Sequence, residues 1–303
     1  MGDGLGVHLA NHYGLDASHI AALDVGVFRV DFNNGLTWVA RAFAARQTAE
    51  VERDAAVLRA LEASGFPAER CAHDDPVSEH EGVPVLVTRW VEGVPADGRG
   101  RTFAILGVLL GRLNSHRAES MRSGGAWHHL SATGGPREEI DAAIAVLESA
   151  EGRVPPEQHH LYDETREALE YLDDCHDLPH AFVHPDFVPA NALATPDGGR
   201  VIIDWAGTGN GPRLWPLAFL LWAGGVRDLR LVDAAFSRYT RHISLEPEEL
   251  ERLAAVIPSR PLTMDVWSFG NGRIDLREVI VRLRRNRIAA DRISGHVRGK
   301  DWA

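Results

Sequence analysis

Between residues 182 and 205 the chain reads Phe182-Val183-His184-Pro185-Asp186, then Asn191, then Ile202-Ile203-Asp204-Trp205. Two carboxylates and an amide at these offsets, on what reads as strand, loop and strand, suit phosphoryl transfer. That reaction leaves a protein little covalent chemistry to do. One carboxylate orients the attacking hydroxyl and takes its proton, while an amide and a second carboxylate hold the magnesium ions that neutralise the phosphates.

The elements that must position these groups follow from the same stretch. Ala181–Val183 reads as a short strand ending in a loop that Pro185 and Pro189 constrain, each holding its predecessor extended. Asn191–Ala194 is strand-like, Thr195-Pro196-Asp197-Gly198-Gly199 is a turn, and Val201–Ile203 is the return strand. Such a hairpin brings Asn191 at its start and Asp204 at its end to one edge. Hard oxygen ligands gathered there suit magnesium.

A second set lies upstream. Leu36–Phe43 alternates, so Val39, Arg41 and Phe43 share a face and Arg41 points among apolar neighbours. A charge there needs a partner. In the following helix, Gln47–Ser64, Asp54 falls on the apolar face with Val51, Ala55 and Leu58. An Arg41–Asp54 pair is therefore expected, with Glu50 and Glu52 as competing partners. Ala21–Phe32 is a further β-like run, joined to Leu36–Phe43 through the hairpin signal Asn33-Asn34-Gly35. Gly65-Phe66-Pro67 stops the helix. A strand pair turns at Glu79–Glu81, with Pro84–Trp90 as its second member, and Glu92-Gly93-Val94-Pro95 reads as a connector.

Beyond the connector the pattern becomes helical over Thr102–Arg117, Pro136–Glu151, Pro156–His176 and from Leu214 onward, with a loop at Ser120–Gly135. The expected organisation is an α+β fold of two lobes: residues 1–92, a small β-sheet lobe with one helix, and residues 93–303, a larger, mainly helical lobe. A length of 303 residues is enough for two cores.

Composition narrows the classes. No apolar run reaches the roughly 18 residues that span a bilayer. The N-terminal Met-Gly-Asp-Gly-Leu-Gly has neither the basic region nor the apolar core of a secretory signal. The 2 cysteines, Cys71 and Cys175, lack metal-ligand spacing. A reducing cytoplasm is the simple expectation. A net charge of −11 disfavours nucleic acid and suits a cationic small substrate, or serves solubility alone. The basic stretch Arg282, Arg284, Arg285 and Arg287 reads as a solvated helix face, and the scattered histidines as surface residues rather than a zinc site.

His-x-Asp-x-x-x-x-Asn, then Ile-Asp-Trp, then Gly-Pro-x-x-x-x-Leu-Ala, resembles the aminoglycoside phosphotransferase family, small-molecule kinases of protein-kinase-like fold. The resemblance implies that Asp186 is the catalytic aspartate, that Asn191 and Asp204 are magnesium ligands, and that His184 supports the loop. It implies ATP or GTP with Mg2+ as cofactors and a small-molecule hydroxyl as acceptor. It places Arg41, paired with Asp54, at the nucleotide phosphates. Val85–Val91 resembles the family's hinge strand, with adenine pairing to main-chain groups at Arg89 and Val91 and Thr88 at the back of the pocket.

The chain departs from the family pattern at several points. Pro185 and Ala190 replace glycines of the usual loop. The turn between the first two strands, Leu23–Phe28, holds the single Gly26. Asn114 stands where the family often has His, and Pro216 where it has an Asp that accepts N–H bonds from the catalytic loop. Three readings stay open: an active kinase of an amino-sugar, choline, homoserine or another metabolite; a catalytically silent nucleotide binder or scaffold; and a helical partner-binding protein. The oligomeric state has no sequence signal.

Overall fold

A computed structural model describes residues 2–43, 46–116, 122–130, 134–300 and 302. Arg117 and parts of the expected 120–135 loop lie outside the described residues. In chain order the first elements are α1 (Gly2–Tyr13), β1 (Ala17–Asp24), β2 (Val27–Phe32), β3 (Thr37–Ala42), α2 (Thr48–Ala63), β4 (Val77–His80), β5 (Val83–Arg89) and β6 (Val94–Pro95). Then come α3 (Gly100–Asn114), α4 (Pro136–Ser149), α5 (His159–Glu170), β7 (His180–Val183), β8 (Ala192–Ala194), β9 (Arg200–Ile202) and β10 (Gly209–Pro212). The chain ends in α6 (Leu214–Gly225), α7 (Leu229–Tyr239), α8 (Pro247–Val256), α9 (Ser259–Gly270) and α10 (Leu276–Arg298). None of the described helices is long and apolar enough to cross a membrane.

Two compact units divide the chain: Met1–Pro95 with Ala192–Ala206, and Ala96–Asn191 with Gly207–Ala303. The sequence places the boundary at 92/93; the division falls after Pro95 and assigns the 192–206 hairpin to the first unit.

The first unit is built on an antiparallel sheet of order β1-β2-β3-β5-β4. The β-like run Ala21–Phe32 holds parts of β1 and β2, which turn at Val25-Gly26, within the expected Leu23–Phe28 turn. Gly26 has φ +72°, and a Cβ there would sit 2.8 Å from the Ala42 carbonyl oxygen. Its own carbonyl accepts the Ala42 N–H at 2.8 Å, so the turn lies directly against the end of β3. Only glycine fits both conditions. The hairpin at Asn33–Leu36 turns where the sequence places it, and the β4–β5 pair turns at Glu81-Gly82, because Glu79 and His80 of the expected turn belong to β4.

Helix α1 has no counterpart in the sequence reading. Three glycines in its first turns depress its propensity, and packing supplies what propensity lacks. Leu5 and Leu9 are buried against Val30, Phe32, Trp38 and Ala40. Helix α2 buries Val51, Ala55, Leu58 and Leu61 at the helical spacing the sequence shows. The β8–β9 hairpin pairs Ala192 with Ile202, Leu193 with Val201 and Ala194 with Arg200, and β6 joins its free edge.

The second unit is mainly helical, with one short ribbon in which β7 pairs with β10. Gly107 of α3 lets α7 approach until an added Cβ would lie 2.1 Å from the Ala235 carbonyl oxygen. That closeness places Tyr239, at the end of α7, against Asn114, at the end of α3, and their side chains hydrogen-bond at 3.0 Å. A core of Leu147, Leu169, Leu262, Val279, Ile280 and Leu283 joins α4, α5, α9 and α10. On α10, Arg282 bonds Asp265 and Glu278, and Arg284 bonds Glu164, so much of the basic stretch is neutralised within its own unit.

Candidate active site

In the second unit, β7 leads into the loop that carries His184 and Asp186. The Asn114 amide donates to the Phe182 carbonyl at 2.9 Å and accepts the Tyr239 hydroxyl, which fixes the strand from beneath. His184 is fully buried, edge-on to the buried Phe187 at 5.6 Å. Its Nδ1 accepts the Asp186 N–H at 3.0 Å. Acceptance at Nδ1 leaves the ring proton on Nε2. Further on, the Val188 N–H donates to the Asp186 carbonyl at 3.1 Å and the Asn191 N–H to the Val188 carbonyl at 3.0 Å.

Asn191 ends a 3-10 turn, Pro189–Asn191, and the strand expected to start there starts at Ala192. Its Nδ2 donates to both the main-chain oxygen and Oδ2 of Asp186, at 3.0 and 2.8 Å. With the amide nitrogen so committed, Oδ1 is the face of Asn191 left to accept or to ligate.

The departures at 114 and 216 have local explanations. Asn114 does the anchoring just described. Pro216 is the third residue of α6, where an N–H has no acceptor within the helix. The Asp186 N–H goes instead to the imidazole of His184.

In the first unit, Arg41 on β3 forms ion pairs with Asp204 at 3.2 Å and Glu69 at 3.7 Å. Its side chain is 13% exposed, which makes these pairs matter far more than surface ones. Burial works against the guanidinium's charge, but Asp204, Glu69 and Asp54, in that order, raise its pKa above the ordinary value. Glu69 is buried and bonds two further groups: Oε2 accepts the Thr88 hydroxyl at 3.0 Å and Oε1 the Asp204 N–H at 2.8 Å. Asp204 follows β9 with φ +69°, a left-handed backbone that Asp tolerates better than most residues. The Glu69 bond to its N–H holds it there.

The expected Arg41–Asp54 ion pair is corrected. Asp54 is buried in α2 as the spacing requires, but its carboxylate takes the guanidinium of Arg46, just before the helix. The ion pairs of Arg41 go to Asp204 and Glu69, and Asp54 acts on it only as the third and weakest of the neighbouring charges. An aspartate is short, and Arg46 reaches it first. Glu69 escapes a sequence reading because it sits in an irregular stretch with no period. Its position depends on the Ala68–Ile202 bridge to a strand far along the chain.

Thr88 is buried beneath this cluster. The Arg89 N–H donates to the Arg70 carbonyl at 2.8 Å, so that donor is already committed. Four acids of the second unit have structural work. Asp228 caps α7, Glu246 and Glu249 form the capping box of α8, Glu249 also grips Arg213, and Asp265 bonds Arg282. Trp215 is core, and the Trp222 indole donates to Asn286 at 3.1 Å.

A second buried network was not legible. Glu139 accepts the Trp127 N–H at 2.7 Å and the Thr263 hydroxyl at 2.6 Å, and pairs with Arg260 at 2.9 Å, both ionic partners being almost wholly buried. Arg260 also donates to the Gly125 carbonyl at 2.9 Å.

An N-terminal antiparallel sheet with an Arg–Asp pair, followed by a mainly helical remainder carrying an Asp–Asn loop, defines the protein-kinase-like class of fold. The chain belongs to the phosphotransferase enzyme family, whose model matches residues 22–255. Solved structures agree on the fold. An aminoglycoside phosphotransferase from Alicyclobacillus acidocaldarius is 18% identical, with TM-score 0.59 over 93% of this chain and 92% of that one. A choline kinase, LicA, from Streptococcus pneumoniae is 14% identical, with TM-score 0.65 over 96% and 98%. A spectinomycin phosphotransferase in complex with ADP and spectinomycin is 13% identical, with TM-score 0.61 over 98% and 99%. No curated protein sequence matches this chain.

Proposed function

We propose that the protein transfers the γ-phosphoryl group of a magnesium-bound nucleoside triphosphate, ATP or GTP, to a hydroxyl of a small molecule. The observation that carries this reading is the double donation of the Asn191 amide to Asp186. It orients one carboxylate for a proton and turns one hard oxygen outward for a cation. Asp204 supplies the other oxygen ligand, and an all-oxygen set fits a magnesium ion. When bound, the ion supplies charge neutralisation of the phosphates.

The chain's own residues do the rest. Asp186 orients the acceptor hydroxyl and takes its proton through a carboxylate oxygen. His184 holds the Asp186 main chain. Arg41, set by Glu69 and Asp204, offers its remaining N–H donors to phosphate oxygens, which a guanidinium matches well. Thr88 keeps Glu69 in place, and the Arg89 carbonyl and Val91 N–H pair with the base. The barrier is lowered by positioning and electrostatics rather than covalent catalysis.

A cationic amino alcohol or amino-sugar is the preferred acceptor. Aminoglycosides and choline, named for structures of the same fold, each combine a hydroxyl with a positive nitrogen, and the −11 net charge suits such a substrate. The two-residue Val25-Gly26 turn favours a second reading, a nucleotide binder without turnover, because it leaves few main-chain N–H groups to cover phosphates. An acceptor screen with labelled nucleotide, read by mass spectrometry beside Asp204→Ala, separates the two. A phosphorylated acceptor formed by the parent alone supports the kinase. Stabilisation by Mg-ATP with no product from any acceptor supports the binder.

A further inference from the structure

We propose that the first unit carries a separate binding pocket for a small phosphate-bearing anion. The pocket, about 490 Å³, opens between the α2–β4 connection, the end of β5 and the turn joining β8 to β9, all within that unit. Its volume falls in the range of small-molecule sites. Arg89 and Val91 line it as well; the base pairing proposed above uses only their main chains, and no role assigned above uses the pocket's side chains.

The charge in its walls is the argument. Arg70, Arg89 and Arg200 line it, opposed by one acid, Asp197, on a chain that is acidic overall. Among the described residues the Arg89 guanidinium has no ion pair, and Arg70 reaches only the half-buried Glu62, at 3.5 Å. Among the described residues Arg200 has no carboxylate partner: its Nη1 donates to the Gly199 and Gly198 carbonyls at 2.7 and 3.4 Å, and its Nε is buried without a hydrogen-bond acceptor. Asp197 is turned into its own turn. Its Oδ1 accepts the Thr195 hydroxyl and the Gly199 N–H, and these bonds hold its pKa below the usual carboxylate range. Three guanidiniums that line one cavity and have Glu62 as their one carboxylate partner among the described residues favour a multidentate oxyanion such as the tetrahedral phosphate group. Phe66, Trp90 and Val201 give the same pocket an apolar side for an organic body, and the buried Trp90 Nε1–H has no acceptor among the described residues.

The pocket is also tied to the Arg41 cluster. Ala68 in its wall precedes Glu69, Arg89 follows Thr88, and the Pro67 and Glu69 main chains bond both polar groups of Ile202, two residues before Asp204. An occupant bridging these segments would stiffen the frame that holds Asp204. This coupling rests on the proposed role of Asp204, but the binding itself does not.

The test is isothermal titration of the full chain with ribose 5-phosphate, inorganic phosphate and ribose at low salt, repeated with Arg70→Gln/Arg200→Gln. The expected result is saturable, salt-sensitive binding of ribose 5-phosphate, none of ribose, and about tenfold or greater weakening in the double variant. Equal binding of inorganic phosphate would assign the site to the free ion; weaker binding assigns it to a phosphomonoester. Stabilisation by Mg-ATP, measured in the same variant, should be retained, which shows that the variant is folded and keeps this test apart from that of the kinase reading. No saturable binding by either phosphate, or binding unchanged in a folded double variant, overturns the proposal.

Discussion

Asn191 binds Asp186 twice through a single nitrogen, at the main-chain oxygen and at Oδ2. The two residues therefore behave as one group: the amide sets the carboxylate's direction, and the carboxylate sets the amide's. Replacing Asn191 by Ala should lower turnover by about tenfold or more and raise the magnesium concentration needed for half-maximal rate by a similar factor. Steady-state kinetics across a magnesium series checks this. An unchanged magnesium requirement would remove Asn191 from the ligand set.

Glu69 joins Arg41, Thr88 and the Asp204 N–H in one buried cluster. Glu69→Ala strands several polar groups at once and should cost about 3 kcal/mol or more of stability. Glu69→Gln keeps hydrogen-bonding capacity and should cost clearly less, while still raising the nucleotide KM by loosening Arg41. Urea denaturation and nucleotide kinetics on both variants report the two effects separately.

The Glu139–Arg260 pair is buried on both sides. Removing the acid alone, in Glu139→Ala, leaves an unmatched guanidinium and should destabilise by about 3–5 kcal/mol. The double change Glu139→Leu/Arg260→Met removes both charges and should recover most of that loss. A double-mutant cycle by urea denaturation measures the coupling.

Helix α1 supplies a pH dependence. His8 bonds the Ser78 hydroxyl at 2.9 Å and lies near His80 and His12. Its pKa is lowered, first by burial, then by His80 and His12. A base with a lowered folded pKa binds fewer protons folded than unfolded. Its contribution is therefore intact above the unfolded value of 6.5 and falls as pH drops from there toward the lowered folded value. Melting temperature should decline on that acid side, and His8→Gln should flatten the decline. Parallel curves for parent and variant would exclude His8 as a source.

The periodic parts of the fold were legible in the sequence. Alternation over Leu36–Phe43, the helical spacing of Val51, Ala55, Leu58 and Leu61, and the turns at Asn33–Gly35 and Thr195–Gly199 all reflect local chemistry that the chain writes directly. The direction of Arg41 and the burial of Asp54 were legible for the same reason. Their partners were not. Which acid meets Arg41 depends on the Ala68–Ile202 bridge, which closes a loop of more than a hundred residues and leaves no local pattern. Helix α1 was missed because glycines weaken its propensity while Leu5 and Leu9 bind it to the sheet. Glu139 and Arg260 look like ordinary surface residues of amphipathic helices until α4 and α9 are packed together.

The most direct test of the account is Asp186→Ala, assayed with the acceptor found in the screen and, in parallel, for thermal stabilisation by Mg-ATP. Loss of transfer by about 10²–10⁴-fold with stabilisation retained is the predicted result. Transfer at the parent rate in that variant would contradict the assignment of the proton to Asp186.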